Sequence, residues 1–244
     1  MNDTTQGVHR KSLGLTLKNN RDLILHSLMC SLGGFLGGYA VLCRGNLASA
    51  QTLNMIDIVL DMVGRNKYEL FLRILALFLY IMGIELVEIL SKKTQINLQR
   101  YSICVDMAGL LVLIMIPKEA NVLVGVLPIF FILSTQWSVF HGVRGYNSAT
   151  IFSTNNLRQT VLAINEYAFG RDRKELKKAL YYINTLFWFN INIAFSYFAV
   201  KYFGIYASLF GFIYTVPALV ITFMKDEKAK ANISIEPYKE KIVC

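Results

Sequence analysis

Gln51-Thr52-Leu53-Asn54, with an amphipathic stretch running on to Gly64, has a second version 102 residues later: Ser153-Thr154-Asn155-Asn156, with an amphipathic stretch to Phe169. At that offset Thr52 aligns with Thr154, Asn54 with Asn156, Val59 with Val161 and Leu60 with Leu162. Each copy follows a long apolar span, and further apolar spans follow each copy. The repeated unit is therefore larger than the polar element. A polar element duplicated inside a duplicated membrane unit is where a membrane protein places a binding site.

The apolar spans follow from composition. The 244 residues are 55% hydrophobic and 17% charged, with a mean hydropathy of +0.44. A soluble domain of this size needs more polar surface, so the expected class is a membrane protein. Crossing about 30 Å of hydrocarbon takes roughly 20 helical residues. Six stretches approach or exceed that length, at 23–43, 68–91, 101–117, 121–143, 178–200 and 204–224. The first follows a basic leader (Arg10, Lys11, Lys18, Arg21), is too long for a signal-peptide core and ends at Arg44, so a retained helix is expected. Polar tails at 1–22 and 225–244 flank a first repeat at 23–117 and a second at 118–224.

Charge orients the spans. With a cytoplasmic N-terminus, 19 of the 25 Lys and Arg residues fall on the inside and 5 on the outside, with Arg73 within a span. The positive-inside rule then predicts both termini in the cytoplasm. It also accounts for most of the net charge of +9 without nucleic acid as a partner. Three crossings per repeat is an odd number, so two tandem repeats face opposite ways. The expected fold is all-α and polytopic: six transmembrane helices as two inverted three-helix repeats, each with a short extra helix after its first span.

In the repeated element, Asn54 is followed by Asp57, and Asn156 by Gln159, three residues on. Asn is a favoured N-cap, and an acidic or amide side chain at the third helical position can answer it. Both copies thus read as loop followed by helix start. Asn54, Asp57, Asp61 and Arg65 share one face of the first helix, and Leu53, Ile56, Leu60 and Val63 most of the other. Thr52, Asn54, Thr154, Asn156 and Arg158 become candidates for solute binding, with Arg44 and Arg144 close in sequence. A helix N-terminus with free amides and nearby guanidinium groups suits an anion or a carboxylate. Capping alone also accounts for the asparagines, and the short helices read equally as re-entrant or as interfacial.

The run Gly33-Gly34-Phe35-Leu36-Gly37-Gly38-Tyr39 with Gln51-Thr52-Leu53-Asn54, and Gln136-Trp137 with Thr154-Asn155-Asn156-Leu157-Arg158, resemble the two signatures of the YoaK family of bacterial integral membrane proteins. The likeness extends from about residue 23 to 224. The central glycine of each family triplet is replaced here by Leu53 and Asn155. The resemblance adds Gln51 and Gln136 to the candidate site. It implies a permease-like protein of the bacterial inner (plasma) membrane, with no general assigned substrate.

Other features sort by their physics. Gly33, Gly34, Gly37 and Gly38 form a small-xxx-small face that suits close helix packing, within the chain or in a homodimer. Glu85 and Glu88 share a face of the second span, and Glu85 is the candidate for coupling a proton. Arg73, near the other end of that span, is expected to snorkel outward. The cysteines and histidines have no metal-ligand spacing, so no metal is expected. No nucleotide-binding, hydrolase or kinase pattern occurs, so neither an enzyme nor a cofactor is expected. The expected function is secondary transport of a small polar or anionic solute. The alternative is a non-transporting membrane module that binds a protein partner or lipid.

Overall fold

The computed structural model describes the backbone of residues 2–224 and the side chains of residues 20–224. The expected tail at 225–244, with Cys244, lies outside the described residues, as do the side chains of the basic leader up to residue 19. Seven α-helices follow in order: α1 (Asn2–Arg44), α2 (Gln51–Met62), α3 (Lys67–Lys93), α4 (Leu98–Met115), α5 (Val122–Val139), α6 (Thr154–Gly170) and α7 (Arg173–Phe203). A 3-10 segment (Gly204–Gly211) and a closing helix at 212–224 complete them. No strand occurs among the described residues.

Among the described residues, five helical stretches are long and apolar enough to cross a membrane: Asn20–Arg44 within α1, then α3, α4, α5 and the stretch Arg173–Met224. The last has 52 residues, about 78 Å at 1.5 Å per residue, far more than one crossing takes. It is broken at Gly204, where φ is +57°. The closing helix turns back alongside α7, and the Tyr214 hydroxyl bonds Asn192 Oδ1. α2, with 12 residues, is too short to cross, and α6, with 17, is not among the membrane-length apolar helices.

Capping separates these two classes of helix. Asn66 accepts from the backbone N–H groups of Tyr68 and Glu69 at the start of α3, and Asn97 from Arg100 at the start of α4. Asn121 caps α5 through Leu123, and Asp172 caps α7 through Lys174. The starts of α2 and α6 have no side-chain cap. The sequence predicts caps at Asn54 and Asn156, and the structure has neither. Each helix begins earlier, at Gln51 and Thr154, so each asparagine stands inside its first turn.

Close packing centres on α1, which lies against α7 much as α5 lies against α3. Gly33 of α1 abuts the Thr150 carbonyl, and Gly34 abuts the Phe189 backbone. A Cβ at either position would collide with main chain, so backbones approach here as closely as glycine allows. The glycine face of α1 is thus buried by the chain's own segments, Gly38 against Ser196 included. At one end of the bundle Arg21 donates to the Met224 carbonyl (3.2 Å), Arg100 to Thr222 (3.1 Å) and Arg144 to Asn20 Oδ1 (3.1 Å). At the other end Arg44 clasps the carbonyls of Ile116, Pro117 and Lys118 (2.9–3.1 Å).

Candidate functional site

The chain enters the bundle interior twice by loops that end helices and start half-length ones. After Arg44, residues 45–50 double back along α1, bringing Leu47 to 3.6 Å from where a Gly37 Cβ would stand. Ala48 and Ser49 are buried. After α5, residues 140–153 double back likewise and reach Gly33, half-way along the apolar part of α1. Gln136, fully buried, holds this second loop: its Nε2 donates to Thr150 Oγ1 and to the Met29 carbonyl, both at 2.8 Å. A buried cluster secures the loop's outer part, with Ser148 Oγ at 2.9 Å from His26 Nε2 and bonded also to the Tyr181 hydroxyl.

Both loops deliver a helix start to the same cavity of about 870 Å³. Ser49, Gln51 and Thr52 line it from the first copy, and Ser153 and Thr154 from the second. Its walls are apolar and aromatic: Val41, Leu42 and Leu47 on one side, Trp137 and Phe152 on another, and Phe189, Ile193 and Tyr197 along α7. Among the described residues, no charged side chain lines it. The first N–H groups of any helix have no partner within the helix. Here no side chain caps them, and they carry the positive end of the helix dipole. Gln51 Oε1 and Ser153 Oγ, one from each copy, are also without partners. The arrangement can therefore offer N–H donors, two amide or hydroxyl groups and a ring-lined wall to one small molecule.

The structure divides the expected site residues. Gln51, Thr52 and Thr154 line the cavity. Asn54 and Asn156 stand outside the lining and brace it instead. Asn54 Nδ2 donates to the Ala50 carbonyl (3.3 Å), and Asn156 Nδ2 donates to the carbonyls of Phe152 (2.9 Å) and Ala149 (2.8 Å). Ala50 and Phe152 are themselves equivalent at the repeat offset, so the two asparagines make the same bond in each copy. Gln136 is a loop anchor. Arg158 and Glu85 are exposed, and neither lines the cavity. Arg44 and Arg144 are committed to the contacts already described and also lie outside the lining.

Arg73 differs from expectation. Instead of snorkelling, it is buried at 8% exposure and pairs with Asp57, Asp61 and Glu69 at 2.8–3.1 Å. Arg65 pairs with Asp57 and Asp61 as well. The polar face of α2 is thus tied to α3. The Arg65 hydrogen bond, with Arg73 adding to it, holds the Asp61 carboxyl below the usual carboxylate range against the opposing effect of burial. The Arg65 guanidinium is correspondingly shifted up by Asp61 and Asp57.

Sequence reasoning also missed Asp106. It stands in the middle of α4, fully buried, with neither oxygen hydrogen-bonded. The signal was there: one carboxylate in an 18-residue helix apolar enough to cross a membrane.

Comparison with known proteins places this helical chain in a family. The model of a protein family of unknown function, DUF1275, matches residues 25–224. The chain belongs to the DUF1275 family. The YoaK-type membrane proteins suggested by the glycine run and the Thr/Asn elements are of this family. No curated protein and no solved structure matches the chain.

Proposed function

We propose that this DUF1275 member is a secondary carrier for a small polar or anionic solute with an apolar body, bound in the cavity where α2 and α6 begin. The observation that carries the reading is the meeting of two uncapped helix starts, one from each copy of the repeated element, at one cavity. Helix starts exposed at the centre of a membrane fold are how carriers present N–H donors to an anionic group. With no charged side chain in the lining, a single carboxylate or hydrogen-bonding head suits the site better than a multiply charged solute.

On this reading the chain crosses the bilayer six times, the break at Gly204 separating the last two crossings. α1 to α4 form one inverted repeat, and α5 to the closing helix form the other. The equivalent bonds of Asn54 and Asn156 and the matched packing of α1 on α7 and α5 on α3 support it. Both termini face the cytoplasm of a bacterial cell, and rocking of one repeat against the other exposes the cavity alternately. The alternative is a partner-binding module. It draws on the apolar face of α2, where Leu53, Ile56 and Val63 are exposed.

A thermal-stability screen of the purified protein against a metabolite panel tests the carrier reading, with Gln51→Leu and Ser153→Ala in parallel. A ligand at 100 times its Kd stabilises by about 2.7 kcal/mol. A hit that both variants weaken, and that shows counterflow in proteoliposomes, supports it. No hit from a broad panel, or a hit with no counterflow, removes it and leaves the partner-binding module.

A further inference from the structure

Among the described residues, the other buried Asp, Arg and His side chains are engaged. Arg73 and Asp61 pair, Arg44 holds three carbonyls, and His26 bonds Ser148. Asp106 differs: both of its oxygens lack a hydrogen bond, and no ion pair reaches it. Ser102, one turn earlier on the same face of α4, is equally buried and its hydroxyl is equally without a partner. Residues four apart on a helix are neighbours, so the two form a single polar spot in an otherwise apolar contact.

Among the described residues the surroundings supply no counter-charge. α4 packs against α5, the 3-10 segment and a short part of α3. α5 carries no ionisable side chain, and the 3-10 segment has only Tyr206, which is exposed. The closing helix has only Tyr214, whose hydroxyl bonds Asn192. On α3, Glu85 and Glu88 are exposed, Glu88 beside Lys92, and Tyr80 is buried. On α4 itself Cys104 is exposed and Tyr101 half-buried, and Arg100 reaches Thr222 and the Phe223 ring. An ionised carboxylate with no partner is prohibitive in such a place, so this one needs a cationic ligand. A metal cation requires several ligands around it, oxygen for the hard ions and nitrogen or sulfur for zinc. Asp106 and Ser102 do not make one, and no metal-holding group of three or more His, Cys, Asp or Glu occurs among the described residues.

We propose that Asp106, with Ser102 beside it, is a proton-binding site at the centre of the membrane that exchanges its proton with the aqueous phase. The site stands on its own geometry. Only the use of that proton as a coupling ion rests on the carrier reading, where it would take the role expected of Glu85.

Dicyclohexylcarbodiimide tests this, because it is apolar and adds to protonated carboxyl groups. The full-length protein in proteoliposomes is treated across a pH series, and adducts are located by intact mass and peptide mapping. One adduct on the peptide containing Asp106 is expected. Its rate should fall about tenfold per pH unit once the acid titrates. Asp106→Asn, which keeps the shape of the neutral acid, should abolish the adduct and fold as well as the parent. Glu85→Gln with Glu88→Gln should leave the adduct in place. No adduct at Asp106, or labelling that does not change with pH, would overturn the site. So would failure of Asp106→Asn to fold, because the position would then require the charge. The assay uses no solute, so a failed search for transport leaves its result standing, and successful transport does not rescue a negative one.

Discussion

Truncating the two repeated asparagines to alanine separates bracing from capping. Asn156 Nδ2 makes two part-buried bonds, at 2.8 and 2.9 Å, to carbonyls of the loop ahead of α6. Asn54 Nδ2 makes one, at 3.3 Å, near the outer limit for such a bond. At about 0.5–1.5 kcal/mol net per bond, Asn156→Ala should cost about 1–3 kcal/mol, and Asn54→Ala about 0.5 kcal/mol or less from the bond itself. If both residues were caps, each substitution would cost a similar amount, about 1 kcal/mol. Unfolding in mixed micelles of rising denaturing-detergent fraction, followed by tryptophan fluorescence, measures the two losses on one scale. A clearly larger loss for Asn156→Ala is expected. Equal losses, or a larger loss for Asn54→Ala, would refute the bracing argument. Because neither side chain lines the cavity, any ligand found in the screen should still bind Asn54→Ala.

Gly33→Ala and Gly34→Ala place a methyl group against the Thr150 carbonyl and the Phe189 backbone, so each should cost about 1–3 kcal/mol or more. Size-exclusion yield and thermal midpoint will show it, with Gly37→Ala, where the nearest atom is a movable Leu47 methyl at 3.6 Å, close to the parent. Arg73→Met removes the buried partner shared by Asp57, Asp61 and Glu69 and should lower the thermal midpoint more than Lys92→Met, whose pair with Glu88 is exposed. Asp61 titrates below its ordinary range when folded, so its contribution is present above that range and is lost as pH falls through the lowered value. Amide exchange across 51–62, corrected for intrinsic rate, should therefore stay slow through mildly acidic pH and quicken only in stronger acid. Faster exchange already at mildly acidic pH would count against the pairing.

Much of the fold can be read along the chain, because a bilayer imposes its length and hydropathy requirements on each segment separately. Spans expected at 68–91, 121–143 and 178–200 overlap α3, α5 and α7, with ends shifted by a few residues. The repeated element is legible in the sequence too, though its asparagines do not cap their helices. Asn is a good cap in general, and the chain does use it so at Asn66, Asn97 and Asn121. A local pattern does not tell a side chain that bonds forward to N–H groups from one that bonds back to a carbonyl. Arg73 was misplaced for a related reason. Its position near a span end suggests snorkelling, whereas three carboxylates that approach it in space make burial tolerable.

Composition, periodicity and the repeat thus determined a helical membrane protein with two equivalent polar elements, since each of those properties is read along the chain without knowing which residues meet in space. The tertiary structure decided that the elements begin at one cavity, that Gln51, Ser153 and Thr154 line it together, and that Arg158 and Glu85 stand outside it. It also decided that Asp106 is buried without a hydrogen-bond partner. The reason is the same in each case: burial and neighbourhood depend on how α1, α5 and α7 pack, and that packing brings together residues more than a hundred positions apart, as Gln136 and Met29 show.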